Sequence, residues 1–284
     1  MFQYVLLDDD PKFLSQVDVW KKGGVTSIAM DFEGEFNLHI YGEHLCLIQL
    51  FDGSSFFLAD PFKLSAEALK VFFEDKELEK VMFSCESDAS LVRKEYDIQL
   101  MNVYDVRVPA MELGYMGNLS GLMDLYHLEH GTENKKKNQM ENWLTRPLPE
   151  KQLQYALGDV AQLLQLKTIL EAETVKNKKV KDVRLKMKNC AMQKNPERPG
   201  WEKLPSYKFM NKQEKAYVKH FFLERDGIAK RRNVPASRIL DKHLLVDLAK
   251  KAADGESWLP EVPTPGLQEA LGRAAKSANA ELMK

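Results

Sequence analysis

The chain has 284 residues, of which 44% are hydrophobic and 29% charged, with a net charge of −1. This length suits one large domain or two smaller ones with a packed core. Residues 1–10 contain three acids and no basic residue, so we expect no secretory signal of the usual kind here. No apolar run approaches the length that a membrane-spanning helix needs, so we expect no membrane partner.

The small net charge hides a strong asymmetry along the chain. Residues 1–175 hold 16 Lys/Arg against 29 Asp/Glu, and residues 176–284 hold 25 against 13. An acidic half joined to a basic half suggests a metal site in the acidic half and a polyanion-binding surface in the basic half. Random variation in surface charge would give the same pattern. Cys46, Cys85 and Cys190 lack metal-ligand spacing, which favours a reducing cytoplasm and no disulfides.

The first part of the chain predicts a helix among short strands. Apolar spacing and turn residues such as Asp52-Gly53 indicate the limits of each element. The predicted strands are 4–7, 27–33, 44–51 and 55–59, and the predicted helix is 11–22, capped by Asp10 or an adjacent acid.

Helices and strands then alternate. We predict helices over 65–75 (with Ser65 as N-cap), 86–96, 105–113 and 119–128, and strands over 80–83 and 102–104. Early hairpin strands followed by this alternation predict an α/β fold, with a mixed sheet and helices on both faces.

A polar segment and a long helix follow. Residues 131–142 contain Lys135-Lys136-Lys137 and read either as a solvated loop or as a phosphate-contacting segment. Pro149-Glu150 opens a predicted long helix whose apolar stripe continues to Lys167. Tyr155 and Asp159, four residues apart, share a flanking face of this helix.

The C-terminal third predicts a separate helical domain. Residues 176–198 are rich in Lys and Arg, and Pro196, Pro199 and Gly200 break the helical pattern. We therefore predict a first domain over residues 1–175, a basic helical extension and linker over 176–204, and a small all-α domain over 205–284 with helices near 212–225, 235–240 and 242–253.

Four acids on three predicted elements are candidates for a metal site. Asp31 and Glu33 lie on one face of strand 27–33, Asp88 lies on helix 86–96, and Asp159 lies one turn after Tyr155. An isolated Asp-x-Glu more often marks acids that face water. Acids are also common, so a set of four can be selected from most sequences after the fact. Together, however, they could hold two divalent ions, for which carboxylates favour Mg²⁺ or Mn²⁺, and Tyr155 could orient an attacking water.

The sequence resembles the ribonuclease D branch of the DEDD 3′–5′ exonucleases. The matching segments are Met30–Glu33, Cys46–Phe51, Phe83–Leu91, Val103–Asp105, Trp143–Leu148 and Tyr155–Asp159. The resemblance implies an RNase H-like domain of the tyrosine subtype and a two-metal hydrolysis of phosphodiesters at RNA 3′ ends, such as those of precursor tRNA. It also implies metal ligation by Asp31, Glu33, Asp88 and Asp159, and orientation of the attacking water by Tyr155.

The region from about Tyr207 resembles an HRDC domain, a small helical nucleic-acid-binding module. The resemblance rests on Lys215–Arg225, Asn233–Pro235 with Arg238–Leu240, and Leu244–Ala249. We therefore expect a monomeric, cytoplasmic exoribonuclease. The alternatives are a 3′–5′ DNA exonuclease that acts on single strands and, outside the enzymes, an inactive nucleic-acid-binding scaffold; the retention of all five site residues argues against the scaffold.

Overall fold

A computed structural model describes residues 1–130, 140–193 and 197–284. Most of the polar segment 131–142, including Lys135-Lys136-Lys137, lies outside the described residues, as do residues 194–196 of the predicted linker. The interpretation of that polar segment therefore stays a prediction.

A six-stranded mixed sheet forms the centre of the described N-terminal part. The strands are β1 (Tyr4–Leu7), β2 (Ser27–Phe36), β3 (Glu43–Phe51), β4 (Phe56–Ala59), β5 (Glu79–Met82) and β6 (Val103–Asp105). Their order across the sheet is β1-β4-β3-β2-β5-β6. β3 and β4 pair antiparallel, whereas β1–β4, β2–β5 and β5–β6 pair parallel. This arrangement confirms the predicted mixed sheet.

Eight α-helices are described in this part of the chain. They are α1 (Asp10–Lys22), α2 (Ala66–Phe73), α3 (Glu86–Tyr96), α4 (Arg107–Glu112), α5 (Leu119–Leu125), α6 (Glu150–Val160), α7 (Leu163–Lys176) and α8 (Val180–Met187). Asp9 caps α1 and Ser65 caps α2 through side-chain bonds to Lys12 N and Ala68 N, which confirms both predicted helix starts.

The strand alternation sorts the buried side chains into cores on the two faces of the sheet. Ile28, Met30 and Phe32 of β2 belong to a core with residues of α1 and α2. Ala29 belongs to a different core, with Val160 and Leu163 of the late helices. The odd-numbered residues of β2 therefore point toward the side on which α6 and α7 pack.

The predicted long helix is wrong in one respect, because it is broken at Ala161 and Gln162. α6 packs against β3, and α7 packs against β5. The buried face changes with the break, from Ala156, Leu157 and Val160 on α6 to Leu163, Leu166 and Leu170 on α7. The break lets one stretch of chain cover two different strands, which a single apolar stripe does not reveal.

The chain divides into two compact units, Met1–Glu35 with Glu43–Lys194 and Phe36–Gly42 with Asn195–Lys284. The predicted end of the first domain at residue 175 is too early. Helix α8 lies in the first unit, and Cys190 and Ala191 are buried in the core of that unit. The segment 176–191 is therefore part of the first unit rather than a linker.

The second unit is helical among its described residues. It contains α9 (Lys212–Arg232), α10 (Ala236–Ile239), α11 (Lys242–Ala253) and α12 (Pro265–Leu282). Asn211 and Glu214 form a capping box at the start of α9. The sequence predicted the first three helices, but it did not predict α12, whose Leu267, Leu271 and Ala274 complete the core of this unit.

None of the helices in the described ranges combines the length and apolar character that a membrane crossing requires.

Arg146 joins three parts of the first unit through its guanidinium. Its Nε and Nη2 donate to the two carboxylate oxygens of Asp60, each at 2.9 Å. Nη2 also donates to Cys46 O at 2.6 Å, and Nη1 donates to Trp143 O at 2.9 Å. The planar fork therefore holds the segment before α6 against β3 and the end of β4.

We predict that Arg146→Lys lowers the free energy of unfolding of the first unit by about 2 kcal/mol, because lysine keeps the charge but loses the fork. Calorimetry with the full chain would measure this change. The matched control is Arg107→Lys, whose guanidinium donates to the Ser84 hydroxyl at 3.0 Å and should change stability by less than about 1 kcal/mol. Equal losses in the two variants would contradict the anchoring role of the fork.

Candidate active site

Strand β2 carries two of the predicted site acids on its α6-facing side. Asp31 and Glu33 follow Ala29 at the strand period of two, so all three side chains point to the same face. Glu33 is only 8% exposed. β2 lies between β3 and β5, and its pairing with β5 runs over Ser27–Ala29, just before the two acids.

Helix α6 carries the other two residues of the site. Pro149 precedes its first turn, and Gln152, Ala156, Leu157 and Val160 form its buried face. Tyr155 and Asp159 lie one turn apart beside that face. The packing of α6 against β3 therefore brings Asp159 over the strand next to β2.

The carboxylates of Asp31, Glu33 and Asp159 form a cluster. One oxygen from each lies within 4.8 Å of the others. Three like charges at this spacing repel one another by several kcal/mol unless a cation or a proton intervenes. The donors are all oxygens, which is the ligand chemistry that Mg²⁺ and Mn²⁺ prefer, so the residues fit a divalent cation.

Tyr155 stands directly beside this cluster. Burial raises the pKa of its hydroxyl above the ordinary value, as do the charges of Asp159, Glu33 and Asp31 and a hydrogen bond to Asp159. Its ring lies 6.5 Å from that of the buried Trp143. The tyrosine is therefore held as a neutral hydroxyl, which donates to Asp159 and keeps lone pairs that can accept.

Asp88 is placed differently from the other predicted ligands. It lies in the first turn of α3 and does not belong to the cluster of three within the described residues. Burial of its carboxyl, and then the nearby charge of Asp105, raise its pKa to about 7. The structure therefore brings together four of the five predicted site residues, and the role of Asp88 stays a prediction.

Asp105 has a larger structural role than the sequence indicated. It accepts hydrogen bonds from the backbone amides of Ser84 and Cys85 at 2.8 and 3.0 Å, and from Arg107 N at 2.9 Å. The sequence analysis placed it only at the start of the predicted helix 105–113. Through Ser84 and Cys85 it also fixes the approach to α3, and with it the position of Asp88.

Several buried polar atoms near α6 have no hydrogen-bond partner among the described residues. They are both amide atoms of Gln49, Nε1 of Trp143 and Oε1 of Gln152. Gln49 lies opposite Leu58 on β4, and Leu58 packs with Ala156 and Leu157 of α6. Buried polar groups without a described partner therefore lie close to α6, and no sequence pattern identified them in advance.

Comparison with known families agrees with this geometry. The profile of a 3′–5′ exonuclease family matches residues 13–174, which is more than half of the chain. Ribonuclease D of Haemophilus influenzae is 29% identical over 243 residues, covering 84% of this chain and 60% of that protein. Human exosome complex component 10 is 24% identical over 239 residues, covering 78% of this chain and 27% of that protein.

Solved structures share the fold at lower identity. The crystal structure of Escherichia coli RNase D matches with a TM-score of 0.78 and 20% identity, over 98% of this chain and 76% of that one. The catalytic core of RRP6 from Trypanosoma brucei matches with a TM-score of 0.74 and 17% identity, over 99% of this chain and 80% of that one. The chain spans 54–60% of the length of ribonuclease D relatives such as those of H. influenzae and Bartonella henselae.

We predict that Asp31→Asn stabilises the metal-free protein by about 1–3 kcal/mol, because it removes one of three repelling charges. Saturating Mg²⁺ or Mn²⁺ should stabilise the unsubstituted chain by about 2.7 kcal/mol at a hundredfold excess over Kd, and Asp31→Asn should abolish this gain. Calorimetric melting with metal or chelator measures both effects.

The control for this experiment is Asp18→Asn. Asp18 is an exposed acid on α1, and its replacement changes the net charge equally. It should leave the metal-dependent stabilisation unchanged. Metal stabilisation that survives in Asp31→Asn would contradict a cation site at the cluster.

Proposed function

The chain belongs to the 3′–5′ exonuclease family, and we propose that it is a metal-dependent 3′–5′ exoribonuclease of the ribonuclease D type. The observation that carries this proposal is the cluster of Asp31, Glu33 and Asp159 with the Tyr155 hydroxyl bonded to it. The substrate class is RNA with a free 3′ end, for which precursor tRNA and other structured RNAs are the candidates.

Two divalent cations complete the proposed site. Asp31, Glu33 and Asp159 would hold one ion, and Asp31 and Asp88 would contribute to holding the second. Such ions, when bound, lower the pKa of a water molecule and stabilise the leaving oxygen of a phosphodiester. Mg²⁺ and Mn²⁺ are the proposed ions, because every donor is a carboxylate.

Tyr155 would act on the attacking water. A tyrosine hydroxyl keeps its proton near neutral pH, because its ordinary pKa is about 10, and this one donates a hydrogen bond to Asp159. The hydroxyl lone pairs are then directed away from Asp159 and can accept a hydrogen bond from water. The tyrosine thus positions the water without taking its proton, since a neutral hydroxyl that already donates to a carboxylate is a poor base.

RNA is favoured over DNA by the kind of relatives the chain has. Ribonuclease D proteins and an exosome component are among its matches, and the E. coli structure is described as an exoribonuclease involved in structured RNA processing. A DNA exonuclease of the same superfamily is the second candidate. An inactive scaffold is disfavoured, because no acid of the set and no tyrosine is replaced.

We propose that the second unit is the RNA-binding domain of the enzyme. Lys230, Arg231 and Arg232 are exposed at the end of α9 and have no acidic partner within 4 Å in the described ranges. Three adjacent cations without counter-charges suit a phosphate backbone. We further propose a monomer in the cytoplasm, for which the three free and buried cysteines are consistent support.

The function is tested by digestion of matched RNA and DNA strands labelled at the 5′ end. We expect stepwise shortening of the RNA from its 3′ end with Mg²⁺ or Mn²⁺, slower shortening of the DNA, and no reaction with excess chelator. Tyr155→Phe keeps the ring but removes the hydroxyl, so it should lower kcat by about 10²-fold or more with nearly unchanged RNA affinity. Full activity in chelator would overturn the proposal, and faster digestion of DNA would favour the second candidate.

If the basic end of α9 binds RNA, its removal should change how RNA affinity depends on salt concentration. Replacing Lys230, Arg231 and Arg232 together by Gln should weaken RNA binding and reduce the slope of log affinity against log salt by up to about 2, since each single-strand phosphate contact contributes about 0.7. The control replaces Lys21, Lys63 and Lys70 by Gln, which removes the same charge from lysines already paired with acids. Equal slopes in the two triple variants would show that the basic end of α9 does not contact RNA.

A further inference from the structure

Two cysteines that are distant in sequence lie together beside the edge strand β6. Cys85 immediately precedes α3, Cys190 follows α8, and both are buried in the same hydrophobic core. The Cys85 thiol donates a hydrogen bond to the Cys190 sulfur. We propose that this pair is a site of reversible oxidation, at which a peroxide converts Cys190 to a sulfenic acid and Cys85 then closes a disulfide that disturbs the start of α3.

Backbone contacts hold both cysteines against β6. Cys190 Sγ donates to Val103 O, with a sulfur–oxygen distance of 3.7 Å. Two residues further along the strand, the Asp105 carboxylate accepts from Cys85 N at 3.0 Å, and Asp105 N donates to Met187 Sδ at 3.1 Å. The two thiols are therefore held at neighbouring positions of one strand. Because they are already hydrogen-bonded, only a small movement of the side chains would bring the sulfurs to bonding distance.

Cys190 is the thiol that a small oxidant can reach. It lines a pocket of about 700 Å³ beside α7 and α8, and also a pocket of about 570 Å³ beside α4 and α8. Cys85 is fully buried and is not among the described residues that line either pocket. A peroxide that enters from either side therefore meets Cys190 first.

The hydrogen bond between the thiols also makes them unequal. It lowers the pKa of Cys190 although this thiol is buried, whereas the same bond, and then burial, raise the pKa of Cys85. The thiolate is the nucleophile, so Cys190 attacks while Cys85 keeps its proton. A reachable thiol of lowered pKa beside a second thiol is the arrangement typical of redox-sensing cysteines.

The oxidation balances in two steps. The Cys190 thiolate takes one oxygen from hydrogen peroxide as the O–O bond breaks, and the released hydroxide takes up the proton lost by Cys190, giving water. The Cys85 sulfur then attacks the Cys190 sulfur, the S–O bond breaks, and the leaving hydroxide takes the Cys85 proton to form a second water. Two thiols and one peroxide thus give one disulfide and two waters, and a dithiol reductant returns the two electrons.

The disulfide would act on the helix that carries Asp88. Asp88 lies in the first turn of α3, three residues after Cys85. Movement of Cys85 toward Cys190 competes with the hydrogen bond that Asp105 accepts from Cys85 N. This consequence rests on the proposed function, in which Asp88 contributes to holding the second cation. A displacement of about 1 Å in such a group can slow catalysis about 10²-fold.

The first test is chemical and uses the full, unsubstituted chain. After treatment with hydrogen peroxide and alkylation in denaturant, mass spectrometry of the unreduced digest should show Cys85 linked to Cys190, and dithiothreitol should remove the link. Cys46 is the matched control, because burial raises the pKa of its thiol to about 12, so it should stay reduced. Full alkylation of Cys85 and Cys190 after peroxide, or equal oxidation of Cys46, would overturn the proposal.

Serine variants test the order of the two steps. Cys85→Ser should accumulate the sulfenic acid of Cys190, which dimedone captures. Cys190→Ser should react with peroxide at least about tenfold more slowly, since the thiol that remains is buried and protonated. Equal rates in the two variants would overturn the role of Cys190 as the reactive thiol. The linkage test does not depend on the stability of either variant.

Activity separates this site from the proposed function. With Mg²⁺ and labelled RNA, the oxidised chain should act about 10²-fold more slowly than the reduced chain, and dithiothreitol should restore the rate. Cys190→Ser should keep its rate after peroxide treatment. A disulfide that leaves the rate unchanged would overturn the effect on Asp88. A disulfide in a chain that hydrolyses no RNA even when reduced would reject the proposed function and retain the oxidation site.

Discussion

The repulsion among three carboxylates is the constraint on which the first unit depends. Asp31, Glu33 and Asp159 place oxygens within 4.8 Å of one another, and only rigid supports can hold such charges together without a cation. One support is β2, paired with neighbours on both sides, and the other is α6, packed on β3. The Arg146 fork acts just before α6, where it joins Trp143 O to Asp60 and thereby limits how far that helix can move away.

Local rules of chain geometry explain why so much of the site could be predicted from the sequence. Asp31 and Glu33 share a face because strands alternate with a period of two, and Tyr155 and Asp159 lie one turn apart because helices repeat every 3.6 residues. The same kind of rule placed the caps at Asp9 and Ser65. Each of these features depends on residues within four positions of one another.

Features that depend on distant residues were not predictable in this way. The hydrogen bonds between Gln154 and Phe2 join residues 152 positions apart, and the ion pair between Arg146 and Asp60 joins residues 86 positions apart. The break at Ala161–Gln162 and the burial of Cys190 depend on which strand each segment covers. Asp88 is the clearest case, since its helix was predicted with the right limits, while its membership of the cluster depends on the tertiary arrangement of α3 and Asp105.

The charge asymmetry of the chain acts mainly at short range. Residues 1–175 carry 13 more acids than bases, yet at physiological salt the Debye length is about 8 Å, so most of those surface acids are screened from an RNA phosphate in the site. The clustered acids are too close to be screened. Under the proposed function, Asp31, Glu33, Asp88 and Asp159 contribute four negative charges, which two divalent cations would balance. A phosphate would then approach a site of nearly zero charge, so the cations would be as necessary for admitting the substrate as for its hydrolysis, and the basic end of α9 would act on affinity alone.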